Sequence, residues 1–150
     1  MDKIIDDILG GIVMAIANIY MWHKLHNQKI SFKNYKVYVS IIFISIICIF
    51  NYYFVNNYIK ILTILVASFI GNCFLFKRKD MSNIFVPIIS ELIILLSELM
   101  ISIVAFTILN LDMNFVSSNY FGSLIINILI GFMSVILVNI SFFKKLLNFL

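Results

Sequence analysis

Residues 84–109 read IFVPIISELIILLSELMISIVAFTIL, twenty-six positions that hold two acids, no base and one proline. A transmembrane helix needs about 20 mostly apolar residues at about 1.5 Å of rise each. This stretch exceeds that length, so as a span it must tilt, kink or project from the bilayer. Four further stretches have the same character: Ile4–Trp22, Val37–Val55, Ile59–Phe76 and Phe121–Phe143. The expected fold is therefore an all-α polytopic bundle of about five transmembrane spans, filling residues 1–150 as one domain with no soluble domain.

Composition excludes a soluble class. Hydrophobic residues make up 63% of the chain and charged residues 12%, against roughly 25% charged in soluble domains. The first stretch contains a signal-like apolar run with Ala15-Ile16-Ala17, but Asp2, Asp6 and Asp7 outnumber Lys3 in its leader. A signal peptide carries positive charge there, so a retained helix is expected.

The basic residues give the orientation. Nine of eleven Lys and Arg fall in three gaps: Lys24 to Lys36, Lys77 to Lys79, and Lys144-Lys145. Each gap follows an odd-numbered span. Basic gaps face the cytoplasm, which predicts the N-terminus outside, the C-terminus inside and a multi-pass plasma-membrane location. Lys60 departs from the pattern and can snorkel from the outer end of span three. The net charge of +4 then reflects topology and contact with anionic lipid, not nucleic-acid binding.

Span four carries the costliest residues. Glu91 and Glu98 lie two helical turns apart and share a face, with Ser90 and Ser97 repeating the interval. Counted from Ile84, they sit about 10 and about 21 Å along the helix. An acid near mid-membrane costs a few kcal/mol and marks a functional site by default. The plainer reading is a protonated carboxyl hydrogen-bonded within the bundle, and it suits Glu91 better than Glu98. Asn18, Asn72 and Asn139 fall near the cytoplasmic ends of spans one, three and five, within reach of Glu91. Asn127 lies in the outer half of span five, nearer Glu98. Pro87, after Ser82-Asn83, reads as a first-turn proline. Gly11 with Ala15, and Ala67 with Gly71, form small-residue pairs suited to close helix packing.

The outer gaps are short and rich in aromatics and amides. Tyr52, Tyr53 and Tyr58 fit an aromatic belt; with Asn114, Phe115 and Tyr120 they also form a surface for an apolar ligand. No catalytic constellation appears: there is no phosphate-binding glycine loop, nucleophile elbow or HExxH. Cys48 and Cys73 differ too much in depth for a disulfide. His23 and His26 read as interface histidines, too few for zinc. No metal or cofactor is expected, and there is no internal repeat.

The order of features has a family likeness. Lys29-Ile30-Ser31-Phe32-Lys33-Asn34-Tyr35-Lys36 follows span one, Asn51-Tyr52-Tyr53 closes span two, and Phe76-Lys77-Arg78-Lys79 forms the next inner gap. Ile89-Ser90-Glu91-Leu92 lies in span four, and Lys144-Lys145-Leu146-Leu147-Asn148-Phe149-Leu150 leads out. In this order the chain resembles the membrane sensor region of Agr-type peptide-sensing, quorum-sensing histidine kinases of Gram-positive bacteria. The resemblance implies a homodimeric receptor for a small hydrophobic, often cyclic peptide, signalling through the last helix to a cytoplasmic kinase. No residue here matches that family's ATP-binding or phosphoaccepting parts, so no enzyme activity is expected of these residues. Three rivals remain. One is a small transport or substrate-capture subunit using Glu91 and Glu98 as a relay. Another is an Agr-type peptide-processing protease, for which Cys73 and His26 share the correct side. The third is a structural or regulatory partner of another membrane protein.

Overall fold

The computed structural model describes residues 2–54, 57–76, 81–107 and 120–140; within them the side chains at 2–4, 52, 54, 57, 58, 120, 121 and 123 are not described. Five α-helices account for nearly all of it: α1 Asp2–Leu25, α2 Tyr35–Phe54, α3 Asn57–Phe76, α4 Ser82–Thr107 and α5 Tyr120–Val138. No strand occurs among the described residues. Three segments are long and apolar enough to cross a membrane: Ile5–Leu25, Ile59–Phe76 and Ser82–Thr107. Tyr35–Asn51 and Leu124–Val138 are apolar but shorter.

Helix ends follow local chemistry. α1 runs three residues past the expected boundary at Trp22 and then closes in a Schellman motif. The Gln28 amide donates to the His23 carbonyl at 2.8 Å and the Asn27 amide to Lys24 at 3.1 Å. Asn27 takes the left-handed conformation this motif needs, with φ of 54°, a role asparagine fills at low steric cost. Asn34 caps α2: its Oδ1 accepts from the Lys36 amide at 3.2 Å, satisfying one orphan donor of the first turn. α5 stops at Val138, five residues short of the expected Phe143. There the Asn139 Nδ2 bonds the Val135 carbonyl at 2.7 Å, the side-chain competition that makes asparagine a poor continuation. Residues 141–143 lie outside the described residues.

α1 is the hub. It packs against each of the other four helices, which neighbour one another around it in the order α2, α3, α4, α5. Among the described residues α2 and α5 do not meet. On that uncovered side α1 exposes Ile5, Ile8, Leu9 and Ile16, a stripe at helical spacing. Contacts between helix ends give the directions. Tyr53, late in α2, bonds Asp7, early in α1; His26, just beyond α1, bonds Asn72, late in α3. The helices therefore alternate up and down. One end of the bundle carries Lys24, Lys29, Lys33 and Lys36; the other carries Asp7 and Tyr53.

The polarity is arranged for an apolar medium. Leu92, Leu95, Leu96 and Leu99 of α4, with Ile61, Leu62, Val66 and Ile70 of α3, lie on the surface. Asn18, His23, His26, Ser68, Asn72, Asn83, Ser90, Ser97 and Ser134 are buried. Soluble monomers rarely show apolar patches of such extent. In hydrocarbon, packing and interhelical hydrogen bonds replace the hydrophobic effect as the force between helices. The inner contacts supply both: Trp22, Ile19, Met21, Ile44 and Ile93 fill the core, and the polar groups pair across it.

Candidate functional site

The polar groups are ordered as a ladder in the seam of α1, α3 and α4. α1 contributes Asn18 and Trp22, and His26 follows just beyond its end, at intervals of four residues and so on one face. In the first rung, at the basic end, His26 Nε2 lies 3.1 Å from Asn72 Oδ1. The Asn72 Nδ2 donates to the Asn83 carbonyl at 3.2 Å and faces the Asn83 Oδ1 at 3.4 Å. Phe76 holds both histidines, its ring centroid 4.2 Å from that of His26 and 4.9 Å from that of His23.

Pro87 explains this rung. α4 begins at Ser82, so Pro87 stands in the second turn and not, as the sequence suggested, in the first. A proline there has no N–H for the carbonyl four residues back, which is that of Asn83. Asn72 reaches across from α3 and supplies the missing donor. The proline thus turns an intrahelical bond into an interhelical one.

One turn further in, the Trp22 Nε1 donates to Ser90 Oγ at 3.0 Å, and Ser90 donates to the Pro87 carbonyl at 2.8 Å. Trp22 is fully buried. Gly71 makes room for it: a Cβ at Gly71 would stand 3.1 Å from Trp22 Cη2, so a larger residue would push the indole aside.

The third rung holds Glu91. Ser68 Oγ donates to its Oε1 at 2.6 Å and Asn18 Nδ2 approaches the same oxygen at 3.3 Å. Three helices meet on one carboxyl. The ladder continues between α4 and α5, where Ser134 Oγ donates to Ser97 Oγ at 3.0 Å.

Of the residues expected to form a layer with Glu91, Asn18 does so. Asn72 lies one turn nearer the basic end and serves Asn83 instead. Asn139 is exposed and contacts Tyr20 Oη at 3.5 Å. Glu98 is exposed and shares no site with Glu91. Asn127 is not its partner: it packs against Gly10 of α1, where a Cβ would come within 2.5 Å of the Asn127 Nδ2. His23 and His26, expected at the interface, are buried. The signal for this was spacing: His26 stands four residues after Trp22 and His23 four after Ile19, both of them buried. The Trp22–Ser90 bond was legible only through Gly71, which pairs with the largest side chain in the core.

At the opposite end, Tyr53 is exposed and its hydroxyl donates to Asp7 Oδ2 at 2.6 Å. Below it a groove of about 300 Å³ opens between α2 and α3, walled by Phe43, Ile47, Phe50, Leu62 and Val66 and closed by Asn51 and Thr63. The Thr63 hydroxyl lies 2.7 Å from Asn51 Oδ1. Of the other expected ligand-contact residues, the side chains of Tyr52, Tyr58 and Tyr120 and all of Asn114 and Phe115 lie outside the described residues. Among the described residues, no group of three His, Cys, Asp or Glu is placed to hold a metal. Compared with protein-family models, curated proteins and solved structures, the chain matches none of them.

Proposed function

We propose that this chain is a membrane-embedded sensor that detects a small hydrophobic peptide, cyclic or linear, and relays the event to the cytoplasm, in the manner of Agr-type receptors. In this reading all five helices span the plasma membrane. The N-terminus and the Asp7–Tyr53 end lie outside; the basic end, and the exit of the last helix, lie inside. The receptor works as a homodimer and hands its signal to a kinase.

The observation that carries the reading is the wiring of α1. At the Asp7 end an exposed hydrogen bond from Tyr53 ties it to α2, beside the α2–α3 groove, and the Gly11 carbonyl accepts a longer one from Ser45 Oγ at 3.5 Å. At the basic end buried bonds tie it to α3 and α4. A ligand shifts an equilibrium only by binding two packings unequally. An apolar peptide that entered the groove, or competed for Tyr53, would act on one end of a helix whose other end is bonded to α3 and α4. The two-acid relay of a transporter draws less support, because Glu91 and Glu98 do not meet.

Trp22, the sole tryptophan, reports the test. The chain in lipid nanodiscs is titrated with a panel of small cyclic peptides bearing apolar side chains. A saturable change in Trp22 emission, weakened in Tyr53→Phe, is expected. No response to any member, together with solute uptake by proteoliposomes that Glu98→Gln abolishes, would replace the sensor by the transporter.

A further inference from the structure

We propose that Glu91 and Asn18 form a reciprocal acid–amide pair that holds a proton between α4 and α1. The inference is independent of the sensor reading and rests on unmatched atoms in the third rung. Two donors, Ser68 Oγ and Asn18 Nδ2, converge on the one oxygen Oε1 of Glu91. The Asn18 amide therefore faces the carboxyl, yet its own Oδ1 is buried with no hydrogen-bond partner. Asn18 itself is 3% exposed. A buried carbonyl left without a donor is destabilising, and a carboxylate, which only accepts, cannot relieve it.

A carboxylic acid can. With the proton on Oε2, Oε1 becomes the carbonyl that accepts from Ser68 and Asn18, and the O–H becomes the donor that Asn18 Oδ1 lacks. Acid and amide then exchange two hydrogen bonds in a ring. One proton satisfies the orphaned atom and removes a buried charge at once, an advantage where an unpaired ion in apolar surroundings is costly.

The groups facing Glu91 support a proton over a counter-ion. α1 offers Asn18, α3 offers Ser68, and α2 brings the Cys48 thiol into electrostatic range. Among the described residues no lysine or arginine pairs with Glu91. Glu98, on its own helix, lies two turns away and faces out. The histidines stand beyond Trp22, at the other rungs. Raising the pH removes the proton, turns Oε2 and Asn18 Oδ1 toward each other as two acceptors and weakens the α1–α4 contact one turn from Trp22.

The test uses the full chain in liposomes, with infrared difference spectra and Trp22 emission read across pH. The expected result is a protonated-carboxyl C=O band at neutral pH that is lost in Glu91→Gln and kept in Glu98→Gln. As pH rises, loss of that band should coincide with a step in Trp22 emission, and Glu91→Gln should abolish the step. Ser68→Ala and Asn18→Leu keep the acid, so each should shift the band; they decide the matter if Glu91→Gln does not fold. Three results would overturn the proposal: no band assignable to Glu91, an emission step that persists in Glu91→Gln, or a step that follows sodium concentration at fixed pH.

Discussion

The two halves of α4 are equally apolar and each contains a Ser-Glu pair, yet they live in different surroundings. From Asn83 to Ile94 the helix buries Asn83, Val86, Pro87, Ile89, Ser90, Ile93 and Ile94. After Ser97 its burial ends: Glu98, Leu99, Met100, Ile103, Val104, Phe106 and Thr107 are exposed. Glu91 follows Ser90 by one residue and Glu98 follows Ser97 by one, so each acid is turned about 100° from the buried line. What separates them is the neighbour. Ser68 of α3 and Asn18 of α1 reach Glu91, while nothing described reaches Glu98. In this bundle, the fate of a costly side chain is thus set by what the adjacent helix presents at that level, and only secondarily by its own helical phase.

The packed half should respond most to losing its central anchor. Trp22→Ala removes a fully buried indole and its bond to Ser90, and should cost about 3–5 kcal/mol. Helical circular dichroism during SDS-driven unfolding measures it, since the variant lacks the fluorophore. Asn72→Leu comes next. It strips the Asn83 carbonyl of the donor that Pro87 withholds, and should cost about 1–3 kcal/mol. That assignment has its own check. In a Pro87→Ala background the backbone N–H returns, so the same Asn72→Leu change should cost about 1 kcal/mol less. Equal costs in both backgrounds would mean that the proline and the asparagine are unconnected.

Much of the bundle was written in the residues themselves. Each of the five apolar stretches became a helix, and the basic gap after span one lies at one end with Asn27 and Asn34 shaping its turns. Depth alone paired Asn18 with Glu91. It misplaced Asn72 because the carbonyl freed by Pro87 competes for the amide one turn away. That competition is computable from the sequence, since proline at one position leaves the carbonyl four residues earlier without its partner. The buried histidines were equally legible, standing four and eight residues along from residues on the inner face of α1. Which helices touch was not legible. Apolar positions surround every helix, so hydrophobic periodicity carries little phase information when the solvent is lipid. Glu98 illustrates this: it shares its phase with Glu91 on α4, and the choice of neighbours leaves it exposed.

The loose half of α4 supplies the smallest expected effect and the sharpest contrast. Glu98 is exposed and makes no hydrogen bond with any described residue, so replacing it by the isosteric amide removes no partner and opens no cavity. Surface changes of this kind stay within about 0.5 kcal/mol, and Glu98→Gln should do so in the same SDS titration of the isolated protomer. The substitution also keeps a polar group at that depth, so it isolates the carboxyl itself from the effect of adding apolar surface. A loss as large as that of Asn72→Leu would show that the second half of α4 is packed after all, and that the two halves of the helix do not differ as described.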